Sequence, residues 1–193
     1  MSGLILASQS PRRCELLRRA GIPFTVYSAK IDETCLLPAP QAVSELSVRK
    51  GLAVSELFPD DYILSADTLV SFNGISLGKP AGQNEAIRML HMLSGQTHQV
   101  FTGVTVITPS GNVFTEYDRT DVTFAELSDE EISSYVMSGE PMDKAGGYAL
   151  QGRAGLWIRH LRGCDSSVIG LPLYLVRELL TQSGFPLLKV LRQ

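Results

Sequence analysis

The segment that begins at Ser8 is typical of an anion-binding site. The apolar run Leu4–Ala7 ends there, and Ser10, a proline and the pair Arg12 and Arg13 open a predicted helix. Ser10 fits the N-cap and proline fits the first helical position. The helix offers free N–H groups, and its first-turn arginines oppose the helix dipole, so both features favour a polyanion such as a triphosphate. A solvated arginine pair beside an ordinary cap is the alternative.

Three further segments carry charged side chains that could act on a phosphate. Asp67 follows the predicted buried strand 62–66, where its carboxylate could accept a proton from water or hold a divalent cation. Asp32 and Glu33 form a carboxylate pair that suits magnesium, and Lys79 lies in a stiff Gly-Lys-Pro turn where its charge suits phosphate. A turn-capping aspartate, a solvated acidic loop and a surface lysine are the respective alternatives.

The glycine-rich segment 143–152 could approach a ligand closely. Its glycines permit positive φ, and Gln151 carries an amide that can donate to and accept from a base edge. A loop whose glycines only form turns is the alternative. The spacing matches neither a P-loop nor a Rossmann fingerprint.

Composition narrows the function classes. The chain has 193 residues, of which 44% are hydrophobic and 19% charged, and this predicts one globular domain over residues 1–193. A net charge of −3 argues against a surface that binds nucleic acid. Three widely spaced cysteines favour a reducing compartment and argue against zinc. With no signal peptide or long apolar stretch, we expect a cytoplasmic protein without membrane spans.

The histidines predict no Ser-His-Asp set. His91 falls within a predicted helix and His98 begins a predicted strand, so both are interpreted as structural. Carboxylates and cations remain, and they favour metal-assisted phosphate chemistry.

Strand and helix patterns alternate along the chain. Apolar and alternating runs, with turns at Asn73-Gly74 and in segment 109–112, predict strands over residues 4–7, 24–28, 62–66, 69–72, 75–77, 99–108 and 113–124. Amphipathic patterns and caps predict helices over residues 11–20, 42–58, 83–93, 129–137 and 172–183. These elements predict an α/β domain with a mixed sheet. The long hairpin suggests a second lobe, and a groove between lobes is the expected ligand site.

Several short motifs occur in one order along the chain. They are Ser8-Gln9-Ser10-Pro11-Arg12-Arg13, Asp32-Glu33, Ser65-Ala66-Asp67-Thr68, Gly78-Lys79-Pro80, Ser94-Gly95-Gln96-Thr97-His98, Asp143-Lys144-Ala145-Gly146 and Val168-Ile169-Gly170-Leu171-Pro172-Leu173. In this order they resemble the Maf family over nearly the whole chain. The resemblance implies a nucleoside triphosphate pyrophosphatase that releases a monophosphate and diphosphate with a divalent cation, magnesium or manganese. It also implies a two-lobed mixed α/β domain similar to the inosine triphosphatase architecture, commonly a homodimer.

Within that family the chain is similar to the dTTP/UTP pyrophosphatase branch. This similarity implies that Asp67 is the proton acceptor and that Arg12, Thr68 and Gln151 select the base. The residues implied in phosphate binding or metal assistance are Ser8, Arg13, Glu33, Lys50 and Lys79. The candidate metal ligands are Glu33 and Asp67.

The sequence departs from the family pattern in the second helix. Arg49-Lys50-Gly51 stands where Glu-Lys-Ala is frequent, which weakens the case for metal ligation from this helix. Two other functions stay open. One is a Maf relative that acts on CTP or a modified GTP, which should need different groups at the base-selecting positions. The other is a nucleotide-binding regulator of septation with weak turnover, against which the presence of Asp67 argues.

Overall fold

Seven strands form one mixed sheet in the computed structural model, which describes residues 2–192. The strands are β1 (Leu4–Ala7), β2 (Thr25–Tyr27), β3 (Tyr62–Phe72), β4 (Ile75–Leu77), β5 (Thr97–Ile107), β6 (Val113–Phe124) and β7 (Ile158–Arg162). The helices are α1 (Pro11–Arg19), α2 (Ala39–Ser55), α3 (Gln83–Leu93), α4 (Asp129–Met137), α5 (Asp165–Ile169), α6 (Leu173–Gln182) and α7 (Leu187–Val190). Short 3-10 helices lie at Glu140–Asp143, Ala145–Gly147 and Arg153–Trp157.

The strand order joins a parallel part of the sheet to an antiparallel part. β1 pairs in parallel with β2 and β3, and β5, β6 and β7 follow as antiparallel neighbours in the order β2-β1-β3-β5-β6-β7. Parallel neighbours need crossover connections, which α1 and α2 supply. The predicted mixed α/β fold and the long β5-β6 hairpin are confirmed. Within residues 2–192, no helix is both long and apolar enough to span a bilayer.

Strand β3 lacks a neighbour along part of one edge. On that edge β1 pairs with β3 as far as Leu6 opposite Leu64, and β4 begins to pair only at Val70. Among the described residues, positions 65–69 therefore have a strand partner only on the β5 side. The result is a notch in the sheet between β1 and β4.

The threonine pair Thr68 and Thr102 divides one face of the sheet into two apolar cores. Leu64 of β3 packs with α1 and α6, whereas Val70 of the same strand packs with α3 and α4. Between them Thr68 lies directly opposite Thr102 of β5. The two cores agree with the predicted arrangement of two lobes around a central groove.

Helix α2 packs closely on the opposite face of the sheet. Gly103 of β5 makes this approach possible, because a Cβ there would lie 2.3 Å from the Val43 carbonyl oxygen. Ser47 Oγ lies 2.7 Å from Thr105 Oγ1, and Ser65 Oγ donates to the Ser47 carbonyl at 2.6 Å. These buried hydrogen bonds fix α2 over the centre of β3.

Some predicted boundaries differ from those in the structure. β3 runs unbroken from Tyr62 to Phe72, so Asp67 lies inside a strand and not at its end. α2 begins earlier than predicted, at Ala39, because a proline fits its N-cap and another its first turn. The sequence patterns do not predict β7 or α5, which have five residues each.

Replacement of Gly103 by alanine should destabilise the fold, because its Cβ would push α2 away from the sheet. Overpacking of this kind should lower the free energy of unfolding by about 1–3 kcal/mol, measured by urea denaturation. Gly82→Ala is the matched control, since a Cβ there meets no described atom within 4 Å and its φ is −175°. Equal stability of the two variants would contradict the close approach of α2.

Candidate active site

A cavity of about 550 Å³ opens at the notch in β3. Its wall contains all nine site residues that the Maf resemblance implies, from elements far apart in the chain. These residues are Ser8, Arg12, Arg13, Glu33, Lys50, Asp67, Thr68, Lys79 and Gln151. Asp32 is not in the wall, and its carboxylate instead accepts from the Thr34 N–H at 2.8 Å. The predicted carboxylate pair therefore contributes only Glu33 to the cleft.

Lys50 joins two carboxylates at the base of the cleft. Its Nζ lies 2.6 Å from Asp67 Oδ1 and 2.9 Å from Glu33 Oε1. The side chains of Lys50 and Asp67 are only 16% and 10% exposed. A buried carboxylate without a partner would strongly destabilise the fold. The ion pair with Lys50 therefore explains how Asp67 can lie inside a buried strand.

The charge of Lys50 also acts on Glu33. Partial burial raises the pKa of Glu33, but the hydrogen bond and charge of Lys50, with smaller contributions from Lys79 and Arg13, outweigh that effect. The pKa of Glu33 therefore lies below its ordinary value, and the group is ionised near neutral pH.

Glu33 and Asp67 form a donor set that fits a hard divalent cation. Their carboxylates come from different elements and converge on one positive charge, the Lys50 ammonium. Among the described residues, no group of three histidine, cysteine or acidic side chains could hold a metal. Magnesium matches this set, because it often binds one or two carboxylates and completes its shell with water and substrate phosphate.

Arg13 is half-buried in the wall of the cleft. It donates from Nε to the Gly170 carbonyl at 2.8 Å, from Nη1 to Ser8 Oγ at 3.2 Å and from Nη2 to Thr68 Oγ1 at 3.2 Å. Burial lowers its pKa, although the nearby charge of Asp67 acts in the opposite direction. Its bonded partners are neutral oxygens, so an anion in the cleft would stabilise the guanidinium.

The two serines before α1 have different roles, which the sequence does not predict. Ser10 occupies the N-cap, but its side chain makes no capping hydrogen bond within the described chain. Ser8 Oγ instead accepts from the Ser10 N–H at 3.2 Å and from Arg13. Ser8 therefore links the end of β1 to Arg13.

Residues on the far side of the cleft approach α1 and β4. Arg12 Nη1 lies 3.6 Å from Asp143 Oδ2, and both side chains are partly exposed. The Gly146 N–H donates to the Gly78 carbonyl at 3.0 Å, beside Lys79. The glycine-rich segment thus forms the wall that faces Arg12 and carries Gln151 at the rim.

A family model described as Maf-like protein matches residues 3–183. The chain belongs to the Maf family. It is 47% identical over 182 residues to a Bacillus cereus (strain AH820) protein named dTTP/UTP pyrophosphatase, covering 93% of this chain and 95% of that protein. A Bacillus anthracis protein with the same name matches at the same identity and coverage.

Solved structures with a similar fold have much lower sequence identity. A HAM1 protein from Coxiella burnetii aligns with a TM-score of 0.56 at 16% identity, covering 94% of this chain and 100% of that one. The Staphylococcus aureus Ham1 protein aligns with a TM-score of 0.54 at 13% identity, covering 93% and 98%. These likenesses concern the fold alone.

Two contacts that the sequence does not predict hold the glycine-rich segment of the Maf cleft, and the first of them is buried. Tyr148 OH lies 2.7 Å from His98 Nε2 on β5, and both residues are buried. The Glu140 carboxylate accepts from Tyr135 OH and from the Arg153 N–H, both at 3.1 Å. Tyr148 lies within the segment that the sequence singles out, but its partner on β5 can be found only from the fold.

Burial keeps His98 neutral in the folded protein. Desolvation lowers its pKa from 6.5 to about 4, whereas an unfolded chain restores the ordinary value. Between these values the unfolded state binds more protons, so stability falls as the pH drops from about 6.5 towards 4.

The variant His98→Gln should remove this part of the acid destabilisation, because glutamine can bond to Tyr148 but does not titrate. The wild type should lose about 3 kcal/mol more of its free energy of unfolding than the variant between pH 7 and pH 4. Urea denaturation at a series of pH values measures the difference. His91→Gln is the control, since His91 is 47% exposed and should leave the wild-type profile unchanged. Parallel profiles for wild type and His98→Gln would refute the assignment.

Proposed function

We propose that this Maf protein is a nucleoside triphosphate pyrophosphatase that hydrolyses dTTP and UTP to the monophosphate and diphosphate. The observation that carries the proposal is a single cleft in which a buried carboxylate, Asp67, lies among the cations Arg12, Arg13, Lys50 and Lys79. Such a cleft can bind a triphosphate and accept a proton from water. The choice of substrates is supported by relatives that are 47% identical and named dTTP/UTP pyrophosphatase.

In the proposed reaction, water attacks the α-phosphorus. The water oxygen forms a new P–O bond, and the bond from the α-phosphorus to the oxygen that bridges to the β-phosphate breaks. Diphosphate leaves with that electron pair, and the proton of the water passes to the Asp67 carboxylate. Lys50 donates to Asp67 Oδ1 and holds the carboxylate in position.

Magnesium or manganese is the proposed cofactor. Glu33 and Asp67 would hold the divalent cation, whose charge would offset the negative charge that develops on the phosphate oxygens. The cleft cations contribute to the same effect because they lie in a partly water-excluded site, where charges interact more strongly than in bulk water.

The remaining residues divide between the two ends of the nucleotide. Serine, arginine and lysine side chains donate hydrogen bonds that match phosphate oxygens, and the proposed phosphate-binding residues are Ser8, Arg13 and Lys79. Groups at the rim and on β3 can meet the base, and the proposed base-selecting residues are Arg12, Thr68 and Gln151.

The protein is further proposed to act as a homodimer in the cytoplasm. The homodimer is what the Maf resemblance implies. The three cysteines are all free, which fits a reducing compartment.

A screen of diphosphate release tests the proposed activity. With magnesium, the purified protein should release diphosphate from dTTP and UTP and at least about tenfold more slowly from dATP and dGTP, the discrimination that loss of hydrogen bonds to the base can provide. Omission of the metal or addition of a chelator should stop turnover. Equal rates on purine and pyrimidine nucleotides would contradict the pyrimidine assignment, and binding without release in all cases would favour a regulatory protein.

Replacement of Asp67 by asparagine tests the proton acceptor. The amide cannot take the water proton, so kcat for dTTP should fall by at least about 10²-fold, as is typical for loss of a general base. Binding of the nucleotide, measured by calorimetry, should persist. Asp32→Asn is the matched control, because Asp32 lies outside the cleft wall and should keep its rate. An Asp67→Asn variant with wild-type kcat would remove Asp67 from the mechanism.

A further inference from the structure

A row of hydroxyl groups runs from the cleft into the protein between the two apolar cores. Arg13 Nη2 donates to Thr68 Oγ1 at 3.2 Å, and Thr68 Oγ1 lies 2.9 Å from Thr102 Oγ1. Thr102 Oγ1 donates to the main-chain oxygen of Ser167 at 2.8 Å. Thr68 is partly exposed in the cleft wall, whereas Thr102 is completely buried.

The two ends of this row determine the direction of every hydrogen bond in it. A hydroxyl group carries one hydrogen, and that of Thr102 is directed to the Ser167 carbonyl, which can only accept. Thr102 must therefore accept from Thr68 across the 2.9 Å contact. At the other end Arg13 can only donate, so Thr68 accepts from it. The order Arg13 to Thr68 to Thr102 to Ser167 is the one arrangement that satisfies all three bonds.

This direction leaves Thr68 with only one kind of interaction to offer a ligand. Its hydrogen is directed away from the cleft, towards Thr102, and one of its two lone pairs accepts from Arg13. The second lone pair remains. Thr68 can thus accept a hydrogen bond from a bound molecule but cannot donate one, which suits a ligand N–H and disfavours a phosphate oxygen.

The surroundings hold this arrangement in place. Gly170 approaches so closely that a Cβ there would lie 3.3 Å from Thr68 Oγ1 and 3.5 Å from Arg13 Nε, at a φ of +120°. Its carbonyl accepts from Arg13 Nε at 2.8 Å. The guanidinium therefore keeps its orientation towards Thr68, and Thr102 lies beneath on the paired strand.

We infer that Thr102 determines base selectivity by fixing the hydrogen of Thr68 away from the cleft. Uracil and thymine carry an N3–H that an acceptor can bind, whereas cytosine has a lone pair at N3 that would meet the lone pair of Thr68. Thr102 is accordingly a positioning residue that favours dTTP and UTP over dCTP and CTP. The inference rests on the proposed function, in which Thr68 contacts the base.

The variant Thr102→Val tests this role. Valine matches threonine in shape but cannot accept the hydrogen of Thr68, which is then free to turn into the cleft and donate to N3 of cytosine. The ratio of kcat/KM for dTTP to that for dCTP should fall by about 2- to 10-fold, the range that one neutral hydrogen bond provides, and the ratio for UTP and CTP should fall likewise. Thr102→Ser keeps the hydroxyl group and should restore the wild-type ratios.

Thr105→Val is the matched control for loss of a buried threonine. Thr105 lies on the same strand, is equally buried, and bonds to Ser47 and Thr115 on the opposite face, away from Thr68. It should keep the wild-type dTTP to dCTP ratio even where stability falls. A uniform loss of activity on all four pyrimidine nucleotides in Thr102→Val, with unchanged ratios, would overturn the inference and reduce Thr102 to a structural residue.

Two further measurements distinguish a variant that does not fold, an error in the proposed function and an error in the role of Thr102. Thermal unfolding shows whether Thr102→Val folds, and Thr102→Cys, whose sulfur accepts hydrogen bonds only weakly, should shift the ratios in the same direction if the valine variant does not fold. Wild-type protein without activity on dTTP and UTP would contradict the proposed function itself. Wild-type selectivity that persists unchanged in folded Thr102→Val or Thr102→Cys would contradict only the role of Thr102.

Discussion

The gap along one edge of β3 is the constraint on which the site depends. Successive side chains of a strand point to opposite faces of the sheet, so adjacent residues do not normally reach the same ligand. At positions 65–69 no neighbouring strand within the described chain covers that edge, and both faces open into one cleft. Asp67 reaches the cleft from the α2 face and Thr68 from the α1 face. A continuous sheet would separate these two residues.

The interrupted edge also explains how the cleft can be lined by so many charged groups. Asp67 comes from a buried strand and Arg13 from a short helix, and each requires compensation for lost hydration. Asp67 receives it from Lys50 on the closely packed helix α2. Arg13 donates only to neutral oxygens, and the nearby charge of Asp67 offsets part of the cost of its desolvation, so a bound anion would stabilise the guanidinium further. Asp67 thus has a charged hydrogen-bond partner in Lys50, whereas the hydrogen-bond partners of Arg13 in the described structure are neutral.

The sequence predicts the local elements, and candidate residues that line one cleft, better than it predicts the long-range pairings between them. Hydrophobic periodicity and turn residues are local, and they identify the long hairpin and most helices correctly. The sequence places Asp67 wrongly at the end of a strand. A carboxylate inside a buried strand is stable only with a partner such as Lys50, and that partner lies seventeen positions away in sequence. Thr102 gives no signal of its own, since its importance comes from the register that sets it opposite Thr68. Such pairings depend on long-range packing, which periodicity does not report.

Arg49 of α2 makes two contacts whose consequence the sequence alone does not show. Arg49 donates from Nε to Glu45 Oε1 at 2.8 Å, one turn earlier in the helix, and from Nη1 to the Thr34 carbonyl at 3.1 Å. It therefore binds the backbone of the loop that carries Glu33. The neighbouring Lys50 bonds to the Glu33 side chain itself. Helix α2 holds this loop at two successive residues, so in this chain the helix contributes cations that position Glu33 at the cleft, while the carboxylates come from the loop and from β3.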